Sequence, residues 1–317
     1  MSMTSLDSEI WAITCFFNPA GYRQRYKNFR IFREHLSVPL VAVELGYGND
    51  FELKDGDADV LVQLHGSSAL WQKECLLNIA LSKVPRTVSV VAWLDCDIIF
   101  QRADWAAQAV EVIQQKPLIQ LFSEVQYLPQ GTADPSSLAA QNATVFRSIT
   151  DLVDSGTWSA ADPRSWESTR IRRVAFGMGW AARRDLLARH NFYDAMVVGS
   201  GDRALVWAAY GRYEDAIARL CLNRARASHY LDWAQRFYGD IQGNIGGIAG
   251  RICHLWHGDL PNRGYRNRHA DFAKIGFDPT IDIRRDSNGI LQWASERSDL
   301  ETFARTYFSS RREDGVS

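Results

Sequence analysis

The sequence predicts an α/β fold in which helices flank a doubly wound, mostly parallel central sheet. Two patterns lead to this prediction. Short apolar segments rich in β-formers alternate with segments of helical periodicity over residues 10–122, as they do when helices connect parallel strands. The segment 90–94 is apolar without a break, which is typical of a strand buried on both faces of a sheet. With 317 residues, 46% of them hydrophobic, the chain is long enough for one large domain or two small ones.

The elements of the first half follow one another with clear boundaries. The predicted strands are 10–17, 39–45, 60–64, 90–94 and 118–122, and the predicted helices are 22–35, 71–83 and 105–115. Asn18, Pro19 and Gly21 are turn-forming residues that end the first strand. Pro85 ends the second helix, because proline has no N–H with which to continue it.

The second half is less regular. Residues 130–173 are rich in Ser, Thr, Asp, Pro and Gly, and we expect loops with short helices there. The pattern predicts a strand over 176–182, a helix over 183–190 and the start of another helix over 201–210. Residues 238–250 contain five glycines and are predicted to form a mobile loop. We expect the tail from Ser309 to be frayed.

Composition excludes several classes of protein. A net charge of −1 argues against broad electrostatic capture of DNA or of a membrane surface. Five scattered cysteines without a CxxC pair indicate reduced thiols and a cytoplasmic protein. The polar start carries no apolar signal region, and no stretch is apolar for long enough to span a membrane. GxGxxG and GxxxxGK[ST] are also absent, so neither a dinucleotide fingerprint nor a P-loop is expected.

Two carboxylates, Asp95 and Asp97, directly follow the buried strand 90–94. Ligands of open α/β sheets bind at the carboxyl ends of the strands, where these side chains would lie. Hard oxygen ligands suit Mg²⁺ or Mn²⁺, and both ions commonly share their coordination with substrate phosphates. The sequence therefore indicates a metal and phosphate site, and the alternative is a strand-end turn with two solvated aspartates.

Other groups that could take part in chemistry occur before and after this pair. A polar turn with Phe16, Asn18 and Arg23 follows the first strand. Lys73 begins the second helix, ahead of Leu76-Leu77-Asn78. The later groups are Phe176-Gly177-Met178-Gly179-Trp180, Gly199-Ser200-Gly201-Asp202 and the pair His254 and His257 around Trp256. Two histidines at this spacing could bind a metal together.

In this order the groups resemble those of glycosyltransferases with the GT-A fold, in particular the inverting β-1,4-galactosyltransferase type and its bacterial and phage relatives. That family has a cation and Leu-Leu-Asn on a helix before an Asp-x-Asp, as Lys73 and 76–78 stand before Asp95 and Asp97 here. A Phe-Gly-Gly strand, a Gly-rich segment ending in Glu-Asp and a late histidine motif follow, approximated by 176–178, 199–202 and 254–257. Gly201 stands where the family has its Glu.

The resemblance implies a single GT-A-like domain over 1–317. Its nucleotide-sugar-binding half would be 10–125, the acceptor-side and metal-completing half 126–270, and the C-terminal extension 271–317. It further implies transfer of a sugar from a UDP-sugar to an acceptor hydroxyl of a glycan, a small molecule or modified DNA, with inversion.

The implied residue roles cover three tasks. Asp95, Asp97, His254 and His257 would bind Mn²⁺ or Mg²⁺, which would neutralise the leaving diphosphate. Asp202 would be the general base for the acceptor hydroxyl. The residues implied in binding the nucleotide sugar are Phe16, Asn18, Arg23, Lys73, Asp95 and Trp180.

The residues leave alternatives open. Asp202 could be a helix N-cap, Lys73 a solvated lysine and Trp180 a core residue, while Asn18 and Arg23 could merely shape their turn. A phage-type enzyme that glycosylates a hydroxylated DNA base is a second hypothesis, with Arg251, Arg263, Arg266 and Arg268 as DNA contacts. A third is a carbohydrate-binding or scaffold protein that has lost catalysis.

Overall fold

A computed structural model describes residues 9–134, 136–137, 140, 143–159, 161–162, 173–264, 267–294 and 296–315. Its strands are β1 (Ile10–Phe17), β2 (Leu40–Gly46), β3 (Val60–His65), β4 (Val90–Leu94), β5 (Ile98–Phe100), β6 (Leu118–Gln120), β7 (Glu124–Tyr127), β8 (Thr144–Ser148), β9 (Val174–Ala175), β10 (Gly179–Arg183), β11 (Ile245–Gly247), β12 (Arg251–His254), β13 (Ile283–Arg285) and β14 (Leu291–Trp293). Its α-helices are α1 (Arg23–His35), α2 (Lys73–Lys83), α3 (Trp105–Ile113), α4 (Ile149–Asp154), α5 (Arg184–His190), α6 (Gly201–Ala209), α7 (Tyr213–Arg219), α8 (Arg224–Ile241), α9 (Arg268–Ala273) and α10 (Ser298–Ser310).

A seven-stranded sheet in the order β11-β6-β10-β4-β1-β2-β3 forms the centre of the protein. Strands β4, β1, β2 and β3 pair in parallel, as do β6 and β11, while β10 runs antiparallel between β4 and β6. The predicted α/β fold class, with a mostly parallel sheet flanked by helices, is therefore confirmed. The chain proceeds from β1 outward to β3 and returns to β4 on the other side of β1. This reversal opens a crevice at the carboxyl ends of β1 and β4, where ligands of such sheets bind.

Both faces of the sheet are covered because successive side chains of a strand point to opposite faces. Ile13 of β1 and Val91 of β4 pack into one hydrophobic cluster with α2, α6 and α8. Their neighbours Ala12 and Ala92 pack into a second cluster with α1 and α3. A strand that is buried on both faces has to be apolar throughout, which accounts for the unbroken apolar segment at 90–94.

A second sheet brings a late part of the chain back to the end of β4. Its order is β5-β12-β7-β8-β9. Strand β5 follows β4 after a three-residue turn and pairs antiparallel with β12, so that His254 lies opposite Ile98. The backbone N–H of Leu255 donates to the carbonyl of Asp97 over 2.8 Å. These pairings place the segment after β12 beside the turn that carries the two aspartates.

The glycine-rich segment 238–250 was expected to be a mobile loop, and this prediction is wrong. Its first residues belong to α8, and β11 then pairs in parallel with β6 at the edge of the central sheet. A Cβ atom on Gly246 would lie 2.9 Å from Lys116 Cγ, and one on Gly247 would lie 2.5 Å from Thr150 Oγ1. Glycine is needed here for close packing, not for mobility.

The strand predicted at 176–182 begins only at Gly179, and a separate short strand precedes the predicted range. Val174–Ala175 belongs to the second sheet and Gly179–Arg183 to the central one, so the chain changes sheets between them. Met178 makes this change in the left-handed region, with φ of 79°. The pattern identified the extended backbone but not the crossing from one sheet to the other.

The tail after Ser309 was expected to be frayed, and this is also wrong for the residues that the structure describes. Residues 311–315, which we call the C-terminal strap, follow α10 and lie against the protein, with Arg311 3% and Glu313 0% exposed. The carboxylate of Asp314 accepts hydrogen bonds from the backbone N–H groups of Arg23 and Gln24, at 3.2 and 2.8 Å. The strap thereby supplies the N-terminal cap of α1.

Two further sequence expectations concern the whole chain. All five cysteines are free. Within the described ranges, the helices are too short or too polar to cross a bilayer.

Candidate functional site

Asp97, His254 and His257 form a compact cluster at the carboxyl end of β4. Nε2 of His257 lies 3.0 Å from Asp97 Oδ2, and Nε2 of His254 lies 3.8 Å from Asp97 Oδ1. The two Nε2 atoms are 3.3 Å apart. One ligand atom from each of the three residues lies within 4.8 Å of the other two, which is close enough for all three to bind one metal ion. The structure thus joins three of the four predicted metal ligands.

The electrostatics of the cluster favour a cation. Burial lowers the pKa of His254 to about 3, so its imidazole is neutral, as a metal ligand must be. Burial alone would raise the pKa of Asp97, but His254 and His257 outweigh it and hold that pKa below its usual value. Asp97 Oδ1 is buried and accepts no hydrogen bond from the described residues. A buried, ionised oxygen of this kind is costly unless a cation or donor satisfies it, so the residues present fit a divalent metal ion.

Asp95 points to a different partner. Its Oδ1 lies 2.6 Å from Nζ of Lys73, and the same Nζ donates to Oδ2 of Asp202 over 2.9 Å. Lys73 is the first residue of α2 and Asp202 lies in the first turn of α6, so one buried ammonium joins two helix starts to the end of β4. Lys73 is 8% exposed, which does not match the solvated lysine of the alternative interpretation.

In this second cluster, the ammonium of Lys73 stays charged although it is buried. Burial alone would lower the pKa of Lys73, but Asp202, Asp95 and Glu74 outweigh it and raise that pKa well above its usual value. Burial raises the pKa of Asp95 to about 6 although Lys73 opposes the shift. Lys73 is therefore a permanent positive charge next to the Asp97 cluster.

Glycines allow the acidic side chains to approach the backbone closely. A Cβ atom on Gly201 would lie 2.0 Å from Glu74 Oε1, and one on Gly177 would lie 2.5 Å from Asp202 Oδ2. The carboxyl group of Glu74 therefore occupies the space that a side chain at position 201 would need. The chain reaches α6 through Gly199 and Ser200, both left-handed, with φ of 83° and 77°. The Gly-rich motif thus has a steric role at the site.

Glu74 is a buried acid that the sequence did not single out. Its side chain lies near Lys73, Asp202 and Asp95, and burial raises its pKa to about 8 against the pull of Lys73. The folded state consequently binds the Glu74 proton more tightly than the unfolded chain does. The resulting stabilisation is complete below the ordinary pKa near 4.5 and disappears as the pH rises through about 8.

We expect Glu74→Gln to remove this part of the pH dependence. Gln keeps the shape of the side chain but does not ionise, so the variant should gain stability relative to wild type between pH 5 and pH 8.5. The gain is on the order of a few kcal/mol, because one pKa unit corresponds to about 1.4 kcal/mol. Urea unfolding at both pH values measures it. Glu214→Gln, an exposed glutamate in the first turn of α7, is the control and should change nothing. Equal pH slopes for Glu74→Gln and wild type would contradict the assignment.

Two of the predicted nucleotide-binding residues occupy the core instead of facing a ligand. Trp180 is fully buried; its Nε1 donates to the carbonyl of Phe176 over 2.8 Å and its ring stacks on Trp93. Phe16 is 2% exposed and contacts Phe29 edge to face. Neither ring presents a face on which a sugar or base could stack.

Asn18 and Arg23 shape the turn before α1. The side chain of Asn18 donates to the carbonyl of Tyr22 and accepts from the Tyr22 N–H, both over 2.9 Å, and also donates to Glu52. The side chain of Arg23 is exposed, whereas its backbone N–H donates to Asp314. Arg25 of this helix turns inward with its side chain 17% exposed, and its Nη1 donates to the carbonyl of Phe17 over 2.6 Å.

Comparison with known proteins gives only remote likeness. No family model and no curated protein matches the chain. Among solved structures it is similar to 4-diphosphocytidyl-2C-methyl-D-erythritol synthase of Anaerococcus prevotii, with TM-score 0.34, 12% identity and coverage of 77% of this chain and 88% of the other. It is similar to a nucleotide-diphospho-sugar transferase of Desulfovibrio desulfuricans, with TM-score 0.34, 10% identity and 95% and 98% coverage.

A third similar structure is a mutant of Drosophila β-1,4-galactosyltransferase 7 in complex with manganese, UDP-Gal and xylobiose. The TM-score is 0.30 and the identity 10%, with coverage of 66% of this chain and 62% of the other. Likeness at this level does not assign a function. The chemistry of the site has to be inferred from the residues of this chain.

Proposed function

We propose that the protein is a metal-dependent glycosyltransferase that moves a sugar from a nucleotide-diphosphate sugar, with UDP as the nucleotide, to an acceptor hydroxyl. The observation that carries the proposal is the joining of Asp97, His254 and His257 directly beside the Lys73 ion pairs at the crevice of the sheet. Such a site combines a place for a divalent cation, a fixed ammonium and a carboxylate. A cation and an ammonium can stabilise a departing diphosphate, and a carboxylate can activate a hydroxyl.

The first task is to stabilise the leaving diphosphate. Asp97, His254 and His257 would hold a divalent ion, whose charge supplies Lewis-acid stabilisation of the phosphates. One carboxylate with two imidazoles suits Mn²⁺ better than Mg²⁺, which prefers oxygen ligands and retains its waters. Lys73 adds a second positive charge, which Asp95 and Asp202 hold in place.

The second task is to remove a proton from the acceptor hydroxyl. Asp202 is the residue that we propose as general base. It stands at the entrance of α6, its side chain is 22% exposed, and it contacts Lys73 through Oδ2. A carboxylate within reach of solvent can accept the proton while the lysine fixes its orientation. Having one candidate base agrees with inversion at the sugar carbon, which we propose with it.

The site would unite the parts of the chain that the sequence distinguished. Asp97 comes from the nucleotide-sugar-binding half, 10–125, and both histidines come from the acceptor-side half, 126–270. We propose these halves as the functional division of one domain. The five free cysteines agree with the cytoplasm as its compartment.

The structure gives little support to DNA as the acceptor. Arg251 pairs with Glu124 at 2.6 Å, and Arg263 and Arg268 are 4% and 7% exposed. Arg268 donates to Tyr307 and Ser200. Arg266 lies outside the described residues. Basic groups that are occupied within the protein do not form a surface for a phosphate backbone, so we favour a glycan or small-molecule acceptor.

Thermal unfolding with UDP, GDP and CMP, each with and without Mn²⁺, tests the proposal. We expect UDP to raise the melting temperature only when Mn²⁺ is present, because the ion would hold the diphosphate. A ligand at 100 times its Kd stabilises the folded protein by about 2.7 kcal/mol, which is enough to measure. Product analysis with a panel of UDP-sugars then identifies the donor. The absence of a shift with every nucleotide and Mn²⁺ would reject the proposal in favour of a protein without this activity.

A further inference from the structure

The C-terminal strap contains a buried carboxylate beside the candidate metal site. Glu313 has no exposed surface. Its Oε2 lies 2.5 Å from Nε of Arg25, its Oε1 lies 3.0 Å from Nη2 of Arg25, and Arg311 also pairs with it. The third neighbour is His257, whose Nδ1 lies 3.5 Å from Glu313 Oε1. Glu313 therefore contacts the ring of His257 on the side opposite to Asp97.

We propose that Glu313 is a positioning residue for the metal ligand His257, an inference that rests on the proposed metal site. An imidazole that binds a metal through one nitrogen needs a partner for the other, which fixes both the tautomer and the plane of the ring. Nδ1–H of His257 would donate to Glu313, which would leave Nε2 as the nitrogen that binds the metal. The carboxylate also makes the imidazole a stronger donor to the metal.

A purely stabilising role explains this arrangement poorly. A buried ion pair pays a large desolvation penalty and is often no more stable than apolar residues of similar size. Glu313 already pairs with two arginines, so it does not need His257 to balance its charge. Its contact with His257 is better explained by the orientation that it gives to the imidazole ring. Those two arginines hold the pKa of Glu313 well below its usual value even though burial opposes this.

The strap is fixed from both sides, so the carboxylate has a defined position. Arg311 lies over the ring of Trp71, with its Cζ atom 5.4 Å from the centroid. Asp314 caps α1, as described above. The backbone itself is in close contact with the turn after His257, because a Cβ atom on Gly258 would lie 2.6 Å from the carbonyl oxygen of Arg311. The turn that carries the ligand and the strap that orients it form one packed unit.

The test measures metal binding and its spectrum, not turnover. Mn²⁺ affinity is determined by electron paramagnetic resonance of the free ion, and the visible spectrum of the Co²⁺ protein reports ligand geometry. We expect Glu313→Gln to weaken Mn²⁺ roughly 10- to 100-fold and to change the Co²⁺ spectrum. Asp194→Asn is the control, because Asp194 is a largely buried carboxylate that also pairs with an arginine, Arg285, but lies outside the strap and the metal cluster. It should leave both readouts at the wild-type values.

Glu313→Asp keeps the charge that Arg25 and Arg311 require but withdraws the carboxylate from His257. It separates the positioning role from folding: a folded Glu313→Asp protein with weakened Mn²⁺ binding supports the inference. Wild-type affinity and an unchanged Co²⁺ spectrum in either Glu313 variant would overturn it while leaving the metal site intact. Failure of folded wild-type protein to bind Mn²⁺ at all would instead overturn the metal site of the proposed function.

Discussion

We expect the replacement of Asp97 with Asn to eliminate Mn²⁺-dependent binding of UDP. Asn keeps the size of the side chain but carries no charge, so the cluster loses its one carboxylate and keeps the two imidazoles. We expect Mn²⁺ affinity to fall by more than about 100-fold, because even groups that only orient a ligand are worth 10- to 100-fold. Isothermal titration with Mn²⁺, followed by UDP, measures both steps.

The matched control for this prediction is Asp104→Asn. Asp104 lies in the same half of the chain, but its side chain is 54% exposed and it pairs only with surface groups. It should bind Mn²⁺ and UDP as wild type does. If Asp97→Asn retains the Mn²⁺-dependent response to UDP, the ion does not bind at this cluster.

Asp202→Asn separates sugar transfer from donor binding. The variant should bind UDP-sugar with Mn²⁺ normally and transfer the sugar about 10²- to 10⁴-fold more slowly, the usual contribution of a general base. The fold should survive, because Lys73 still has Asp95 at 2.6 Å and is not left as an unpaired buried charge. Single-turnover transfer to an acceptor, together with a titration of the donor, gives the two quantities.

Asp215→Asn serves as the control for Asp202→Asn. Both aspartates lie in the first turn of a helix and both pair with a cation, Asp215 with Arg212 at 2.6 Å. Their exposure is also similar, at 22% and 24%. A loss of transfer that is common to both variants would indicate an effect of helix starts. Normal transfer by Asp202→Asn would show that another group takes the proton.

The part of the structure that periodicity describes was predictable. Strands β1, β2 and β4 are apolar segments buried on both faces, and local composition alone identifies such segments. The residues of the Asp97 cluster could also be predicted, because a carboxylate at a strand end and two histidines three positions apart are each visible as short motifs. Only their joining needed the structure, since it depends on the pairing of β12 with β5.

The partners of Lys73 and His257 were not predictable from sequence. Lys73 and Asp202 are 129 positions apart, and no local pattern distinguishes a lysine that pairs twice from one that is solvated. Glu313 occurs in a polar segment of the kind that usually frays. Trp180 was assigned to ligand binding because it follows a motif, but an aromatic residue at such a place can equally belong to the core. Its complete burial shows that it belongs to the core.

The return of β12 to β5 has a consequence for how ligand binding and folding are coupled. The two histidines reach Asp97 through the pairing of β12 with β5, which joins parts of the chain about 150 residues apart, so a fragment that ends before β12 lacks both histidines. Bringing together segments so far apart in the sequence costs chain entropy, which the contacts between them have to offset. Apparent affinity for an ion at this site therefore depends on the whole fold, because only folded molecules bind the ion. A distant substitution that raises the unfolded fraction lowers the apparent affinity in proportion to the folded fraction that remains.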